Sequence, residues 1–325
     1  MPFEIPTETW SSAVNTVALG ATADSGGTRT STVTIGGETT TPFLHFEGAT
    51  PNRPVIAMEV LDQEPTNWPA VLAEPFAGVL GDPAAWAKRC VEEFGAEMIC
   101  LRLVSADPNL GADTGPDHAV EAVKAVLGAV GVPLIIWGCG NAEKDNTIMP
   151  AVSQAAAGEC CLLGSAVQDN YKTITASCIA DGHKLIAEAP LDINIQKQVN
   201  ILVTDMGLSA ENIVMYQVTG GLGYGMEYAY SIMERTRLAA LGGDKMLSMP
   251  LLAVVGSEAW KPKEARVPAS EAPEWGDETK RGPLWEAATA TSFLMAGTDL
   301  LVMWHPEAVR LVKQSLDQLM GGDGA

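Results

Sequence analysis

Residues 212–225 read NIVMYQVTGGLGYG. The first half, from Ile213 to Tyr216, is a short apolar run, which indicates a buried β-strand. Four glycines then fall within six residues, and residues 226–241 have the pattern of a helix that ends at a pair of glycines. The stretch therefore predicts a strand, a loop and a helix in succession.

The glycine-rich loop is a candidate binding site. Glycine adopts positive φ and lets a ligand approach the backbone, and the loop of a strand–loop–helix unit lies where α/β proteins place their sites. Two nucleotide-binding motifs are excluded, because Met226 stands where G-x-G-x-x-G needs a third glycine and no Gly-Lys-Ser/Thr follows. A tight turn without a ligand is the alternative.

Seven further apolar runs surround this unit, and helix patterns follow them. The runs begin at Pro54, Glu97, Pro133, Cys160, His183, Pro250 and Leu300. Eight strand–helix units over about 270 residues predict an α/β fold, a (β/α)₈ TIM barrel. The runs are continuously apolar, as in a parallel sheet that is covered on both faces. An open doubly wound sheet is the alternative.

The amino-terminal part has a different pattern. Residues 30–35 are rich in β-branched side chains, Gly36-Gly37 follows, and residues 41–44 are again partly apolar. This pattern predicts a small antiparallel hairpin that turns at the two glycines. We therefore expect a β-hairpin extension in residues 1–50 and a TIM barrel in residues 51–325.

Composition narrows the class of protein. The chain has 325 residues, 47% of them hydrophobic, and a net charge of −20. This charge argues against binding nucleic acid or an anionic membrane. The sequence has no targeting signal and no apolar run of membrane-spanning length, so we expect a cytoplasmic protein. Its six cysteines form no C-x-x-C pair and no zinc or iron–sulfur spacing, which predicts reduced, mostly buried thiols.

Active sites of barrels are built at the carboxyl ends of the strands. The residues that this rule selects are Glu59, Asp62, Ser105, Asp107, Asn141, Ser165, Asp192, Asn194, the 219–225 loop, Glu258 and His305. The set has amides and small polar groups but no nucleophile beside a base and no histidine pair, so we predict neither catalytic nor metal-binding residues. Asp192 and Asn194 suit an amide or a flat heterocycle. The alternative is a helix cap, which Asn194 alone would supply.

One predicted connection is long. Residues 256–282 join the seventh strand to its helix, and a structureless loop of this length is usually functional or docks a partner. Trp260 and Trp275 within it are candidate anchors for a partner, or they fold back on the barrel.

Several segments between Thr16 and Met320 resemble one family. They include PFLHFEG, PLIIWGCGNAEKDN, APLDINIQKQVNIL and GGLGYGMEYAYSIMER. Together they resemble the small subunit of the corrinoid iron–sulfur protein, a family that includes the delta subunit of the acetyl-CoA decarbonylase/synthase complex. The last segment is long and specific, and the resemblance covers nearly the whole chain.

The resemblance implies a methyl carrier of anaerobes in the reductive acetyl-CoA (Wood–Ljungdahl) pathway of carbon fixation. In this family a large subunit carries the iron–sulfur cluster and a cobalamin-binding domain, and the small subunit is a TIM barrel whose open end faces the corrin. The implied partners are the large subunit, in a heterodimer, a methyltetrahydrofolate methyltransferase and acetyl-CoA synthase. Asp181-Gly182-His183 begins like the cobalamin motif D-x-H-x-x-G, but Ile186 replaces its glycine.

From topology we expect the cobalamin face to be lined by Asn141, Asp192, Asn194, Thr219, Gly220, Gly221, Gly223, Tyr224 and Gly225. Valine at Gly221 and Gly223 is expected to weaken corrinoid retention while the fold stays intact. The alternative function is a stand-alone, pterin-dependent methyltransferase barrel, in which Asp192 and Asn194 would bind the pterin. A purely structural partner subunit is a third possibility.

Overall fold

The computed structural model describes residues 4–321, so the outermost residues of both predicted parts, 1–3 and 322–325, lie outside the described residues. Two amino-terminal strands, β1 (Thr16–Leu19) and β2 (Val33–Gly36), form an antiparallel pair. The barrel strands are β3 (Val55–Leu61), β4 (Met98–Arg102), β5 (Leu134–Trp137), β6 (Leu162–Ala166), β7 (Lys184–Ala189), β8 (Ile213–Gln217), β9 (Leu251–Val254) and β10 (Leu300–Met303). All eight are parallel, and β10 pairs with β3 to close the barrel.

Helices follow the barrel strands in turn. They are α1 (Ala70–Ala73), α2 (Pro83–Glu92), α3 (Pro116–Ala129), α4 (Ala142–Ala155), α5 (Tyr171–Asp181), α6 (Ile193–Asp205), α7 (Met226–Leu241), α8 (Gly256–Ala259), α9 (Lys263–Arg266), α10 (Glu278–Ala296) and α11 (Pro306–Leu319). The predicted TIM barrel with an amino-terminal hairpin is confirmed. Among residues 4–321, the helices all fall short of the length and apolar character that crossing a membrane requires.

Local sequence explains where the elements begin. Asp82 caps α2, since its Oδ1 accepts hydrogen bonds from the backbone N–H groups of Ala84 and Ala85 at 3.0 and 3.1 Å, and Pro83 occupies the first turn. Every residue of β3 is buried. A strand that is buried on both faces needs a continuous apolar run rather than an alternating one, which is why the barrel strands could be recognised in the sequence.

The hairpin forms, but its pairing differs from the prediction. We expected residues 30–35 to turn at Gly36-Gly37 and to pair with residues 41–44. Instead β2 pairs with the preceding strand β1, with Leu19 opposite Val33 and Thr16 opposite Gly36. Pro42 lacks the N–H that a strand ladder needs, and residues 41–44 lie in a turn and loop. Gly36 and Gly37, with φ of +82° and +93°, lead the chain away from β2.

The hairpin closes the amino end of the barrel. Val17, Leu19 and Ile35 are fully buried in the same apolar cluster as the inward-facing side chains of the barrel strands. The backbone N–H of Gly20 donates to the Cys160 carbonyl at 2.9 Å, next to the start of β6. The hairpin thus adds to the barrel's own interior core. The boundary between residues 50 and 51 stays a prediction.

Two buried arginines tie this end together. Arg29 pairs with Glu159 at 2.8 Å and also donates to the carbonyls of Val130 and Leu127, at 2.6 and 2.8 Å. Arg237 lies between Glu38 and Asp299, with nitrogen–oxygen distances of 2.9 and 2.8 Å. Burial, together with the neighbouring carboxyl of Asp299, raises the pKa of Glu38 to about 8.

Candidate functional site at the carboxyl end of the barrel

The carboxyl end of the barrel opens into a cavity of about 580 Å³. Its floor is formed by side chains at the ends of the strands, among them Glu59, Arg102, Glu188 and Tyr216. Its wall is formed by the loop after β3 and by the segment that carries α8 and α9. Cavities of this size are typical of small-molecule sites.

An ion pair stands at the centre of the floor. Arg102 donates to Glu59 through both ends of its guanidinium, with Nε–Oε1 and Nη2–Oε2 distances of 3.0 and 3.2 Å. The guanidinium also lies 4.6 Å from the centre of the Trp137 ring. Burial opposes its charge, but the adjacent Glu59 carboxylate outweighs burial and raises the pKa of Arg102. Arg102 is therefore a fixed cation with a committed partner.

Glu188 is held differently. Its Oε2 accepts a hydrogen bond from the Ser165 hydroxyl, and the Ser165 carbonyl in turn accepts one from the Asn170 side chain at 3.1 Å. Among residues 4–321, no donor bonds to its second carboxyl oxygen, and the residue lines the cavity. Burial raises the pKa of Glu188, and the Ser165 hydrogen bond and the Arg102 charge oppose the rise only in part.

Asp145 shapes the loop beside the cavity. From the first turn of α4 it accepts hydrogen bonds from the backbone N–H groups of Cys139 and Gly140, at 2.8 and 3.1 Å. A Cβ at Gly138 would lie 2.3 Å from its Oδ1, so the loop packs closely around this carboxylate. Asn141 caps α4, with its Oδ1 accepting from the backbone N–H groups of Glu143 and Lys144. The amide nitrogen of Asn141 is not part of the cap.

The D-x-N pair contains a helix cap, but the cap is Asp192 and not Asn194. Asp192 Oδ1 accepts from the backbone N–H groups of Asn194 and Ile195 at 2.7 and 3.2 Å, and α6 begins at Ile193. Asn194 lies exposed in the first turn. The expectation that Asn194 supplies the cap was wrong, because α6 starts two residues earlier than the sequence pattern indicated.

The glycine-rich loop is packed largely by its own chain. The Thr219 hydroxyl accepts from the Val254 N–H at 3.1 Å. A Cβ at Gly220 would lie 2.7 Å from the Gly225 carbonyl oxygen, and one at Gly221 would lie 2.6 Å from the Glu258 carbonyl oxygen. The expectation that valine at Gly221 leaves the fold intact therefore disagrees with the structure.

The outer half of the same loop faces solvent. Gly223 and Gly225 have φ of +72° and +95°, which strongly favours glycine. Between them the Tyr224 side chain is 66% exposed. The loop thus combines a buried base, explained by contacts within the chain, with an exposed tip that leaves an aromatic side chain free.

The nine predicted site residues follow β5, β7 and β8, three of the four consecutive strands on one side of the barrel. They form part of the rim and are absent from the lining of the main cavity. Sequence reasoning missed Arg102, Glu188 and Tyr216, which lie inside strands rather than in the loops. A signal was available, because a charged residue within an otherwise apolar run, as in MICLR and KLIAEA, demands a partner or a ligand.

The segment 256–282 is not a structureless loop, since it contains α8, α9 and the start of α10. Trp260 folds back on the barrel, and its Nε1 donates to Glu286 at 2.7 Å. Glu286 also accepts from the backbone N–H groups of Trp304 and His305, at 2.6 and 3.0 Å. Burial raises the pKa of Glu286 to about 7. Trp275 is 39% exposed and stacks with Arg281.

His305 begins the last helix. Its Nδ1 accepts from the backbone N–H of Glu307 at 3.1 Å, so the imidazole is the cap of α11. Burial lowers the pKa of His305 to about 4, which keeps this nitrogen unprotonated and able to accept.

Across residues 4–321, no three or more His, Cys, Asp or Glu side chains come together in a way that could hold a metal ion.

Solved structures share the fold. Dihydropteroate synthase from Xanthomonas albilineans, with 4-aminobenzoic acid, superposes with a TM-score of 0.55 over 87% of this chain and 98% of that one, at 13% identity. The enzyme from Coxiella burnetii, in complex with pteroic acid, gives 0.55 at 11% identity and covers 84% and 96% of the two chains. At these identities the likeness supports the fold alone.

Sequence comparison is more specific. The delta subunit of the acetyl-CoA decarbonylase/synthase complex from Archaeoglobus fulgidus is 38% identical over 324 residues, 98% of this chain and 71% of that protein. The corresponding subunit from Methanopyrus kandleri is 36% identical over 307 residues, 94% and 75% of the two chains. The sequence model described as the CO dehydrogenase/acetyl-CoA synthase delta subunit matches residues 16–266. The chain therefore belongs to the CO dehydrogenase/acetyl-CoA synthase delta subunit family.

Proposed function

We propose that the chain is the small subunit of a heterodimeric corrinoid iron–sulfur protein, a methyl carrier without catalytic residues of its own. It would help to pass a methyl group from methyltetrahydrofolate, through a separate methyltransferase, to acetyl-CoA synthase in the reductive acetyl-CoA pathway. The observation that carries the proposal is the family membership, because relatives named as delta subunits of the acetyl-CoA decarbonylase/synthase complex match almost the whole chain.

The rim of the barrel fits the chemistry of a corrinoid. A corrin is broad, flat and fringed with amides, so it needs hydrogen-bonding groups and aromatic surface rather than acid–base pairs. Asn194 is exposed, the amide nitrogen of Asn141 is not used in capping α4, and the exposed Tyr224 lies on the same side of the barrel. These three side chains are the ones that would hold the group.

Most of the remaining predicted residues would not contact the corrinoid but would hold the rim in its conformation. Thr219, Gly220 and Gly221 are buried, and their contacts shape the base of the loop that presents Tyr224. Asp192 caps α6 and so fixes the turn from which Asn194 projects. When bound, the corrinoid supplies the cobalt that takes and gives the methyl group. The role of this chain would be to bind one face of the corrinoid and to orient it.

The test is anaerobic co-production of this chain with the large subunit, followed by the visible spectrum of each purified species. We expect a heterodimer with corrinoid absorbance and a colourless lone chain. The double variant Asn194→Ala/Tyr224→Ala should lose more than half of the corrinoid per heterodimer, because it removes an amide and an aromatic ring from the rim.

The matched control is the double variant Ile179→Ala/Asp205→Ala. It removes two exposed side chains at the opposite, amino end of the barrel and should keep the full corrinoid content. Equal corrinoid content in both variants would contradict the rim assignment. A lone chain that moves methyl groups from methyltetrahydrofolate to added cobalamin would instead support the pterin-dependent methyltransferase.

A further inference from the structure

The cavity inside the rim has a chemistry of its own. Its polar floor and its aromatic wall face one open cavity, and the tip of the glycine-rich loop is not part of its lining. Trp68, Trp260 and Trp304 line the wall, and the rings of Trp68 and Trp304 lie 4.8 Å apart at an angle of 38°. Indole rings of this kind offer flat apolar surface and attract cations.

The charges of the lining favour a positively charged or N–H-rich ligand. The lining contains five carboxylates, from Glu59, Glu64, Asp145, Glu188 and Glu258, and three basic side chains, from Arg102, Lys261 and Arg266. Two of the basic groups are neutralised inside the lining, where Arg102 pairs with Glu59 and Lys261 pairs with Glu258 at 2.6 Å. An anion entering the cavity would therefore find most of the positive charge already used.

On the floor of the cavity, Glu188 is the carboxyl group with spare bonding capacity, whereas Glu64 and Glu258 lie on the wall and Glu258 pairs with Lys261. Asp145 uses both carboxyl oxygens on backbone N–H groups, and Glu59 uses both on Arg102. Glu188 uses one oxygen on Ser165, and within residues 4–321 its other oxygen has no donor. Glu188 is partly buried and lines the cavity, so a charged ligand N–H is a favourable partner for that oxygen.

From these contacts we propose that the cavity binds a small planar nitrogen base, such as an amidinium or a protonated aminoheterocycle. The ring packs against the indole wall and its N–H groups donate to Glu188. A charged N–H group that donates to a carboxylate oxygen forms the stronger class of hydrogen bond. This site lies inside the barrel mouth and does not require the corrinoid.

The test is calorimetric titration of the full chain with benzamidine, a planar amidinium, and with benzoate, which has the same shape and the opposite charge. We expect benzamidine to bind at one site and benzoate to bind at least tenfold more weakly. Glu188→Gln should weaken benzamidine about tenfold or more, because it removes the charge and one acceptor while keeping the size of the side chain.

Two variants make the result specific. Glu227→Gln makes the same chemical change at an exposed position in the first turn of α7 and should leave benzamidine affinity unchanged. Glu188→Asp keeps the carboxylate and should retain more affinity than Glu188→Gln. Equal binding of benzamidine and benzoate, or equal affinity of Glu188→Gln and the unaltered chain, would overturn the proposal. The first comparison needs no variant, so it stands even if Glu188→Gln does not fold.

Discussion

The two ends of this barrel use buried charge in different ways. At the amino end, Arg29 and Arg237 are saturated by carboxylates and carbonyls, and the hairpin closes the interior. At the carboxyl end, the floor of an open cavity combines a saturated ion pair with Glu188, which keeps one free oxygen within the described part of the chain. Both ends contain buried charges of both signs, so burial of charge alone does not identify a site.

The difference shows which feature separates support from function. When a buried ion receives all its hydrogen bonds from its own chain, its presence is explained by the fold and no ligand is needed. A partly buried carboxylate with spare bonding capacity that lines a cavity is a candidate for contact with a ligand. By this criterion we propose that the buried charges serve stability at the amino end and binding at the carboxyl end, and both roles can be tested.

The largest expected effect is at the amino end. Arg237→Met leaves Glu38 and Asp299 buried without their cation and should lower the free energy of unfolding by about 3–5 kcal/mol. Urea denaturation measures this. The control is Arg310→Met, which breaks a pair with Glu307 on the surface of α11 and should change stability little. If Arg237→Met lowers the free energy of unfolding no more than Arg310→Met does, the buried ion pairs of Arg237 do not stabilise this end of the barrel.

A second prediction concerns pH at the carboxyl end. The pKa of His305 is lowered to about 4 from its ordinary value of 6.5, so between these values the unfolded chain binds a proton that the folded chain does not. Stability should therefore fall as pH falls from 6.5 to 4, by about 3 kcal/mol from this residue. His305→Asn keeps a good helix cap and removes the titration.

The measurement is urea unfolding of both proteins across this range of pH. The unaltered chain should lose about 3 kcal/mol more than His305→Asn as the pH falls. The control is His118→Asn, which alters an exposed histidine in the first turn of α3 and should follow the unaltered chain. Parallel curves for the unaltered chain and His305→Asn would show that the cap tolerates a protonated imidazole.

The smallest effect sharpens the picture of the glycine-rich loop. Gly221→Ala places a Cβ 2.6 Å from the Glu258 carbonyl oxygen and should destabilise the fold by about 1–3 kcal/mol. Gly128→Ala, at an exposed position in α3 with nothing within 4 Å of the new Cβ, should stabilise it by about 0.5–1 kcal/mol. Thermal or urea unfolding would measure both. If Gly221→Ala is harmless, the close approach of the Glu258 carbonyl does not require glycine at this position.

Much of the fold could be predicted from local sequence. The eight apolar runs and the caps such as Asp82 are short-range signals, because a strand or a helix start depends on neighbouring residues. The pairing of the hairpin could not be predicted, since β1 lies before a loop of 13 residues and the Gly36-Gly37 pair is a stronger local turn signal. Local sequence also could not locate the cap of α6, because Asp192 and Asn194 are equally good capping residues.

The candidate site could be predicted only in part. The rule that sites lie at the carboxyl ends of strands led to the end of the barrel that holds the cavity, and to Asn141, Asn194 and the glycine-rich loop on its rim. The rule also selected Glu59, Ser165 and Glu258, which line the cavity. It missed Arg102, Trp137 and Glu188, because these residues lie within strands and not in the loops that follow them.

The sequence alone determined the number and order of the strand–helix units and, through residues such as those of GGLGYGMEYAYSIMER, the family. These properties follow from local patterns and from similarity along the chain. The tertiary structure decided which glycines pack against their own chain and which strand pairs with β2. It also decided which carboxyl groups of the cavity keep an oxygen that accepts no hydrogen bond from residues 4–321. Those outcomes depend on atoms that meet only when the barrel closes, and closure brings together residues that no local pattern pairs.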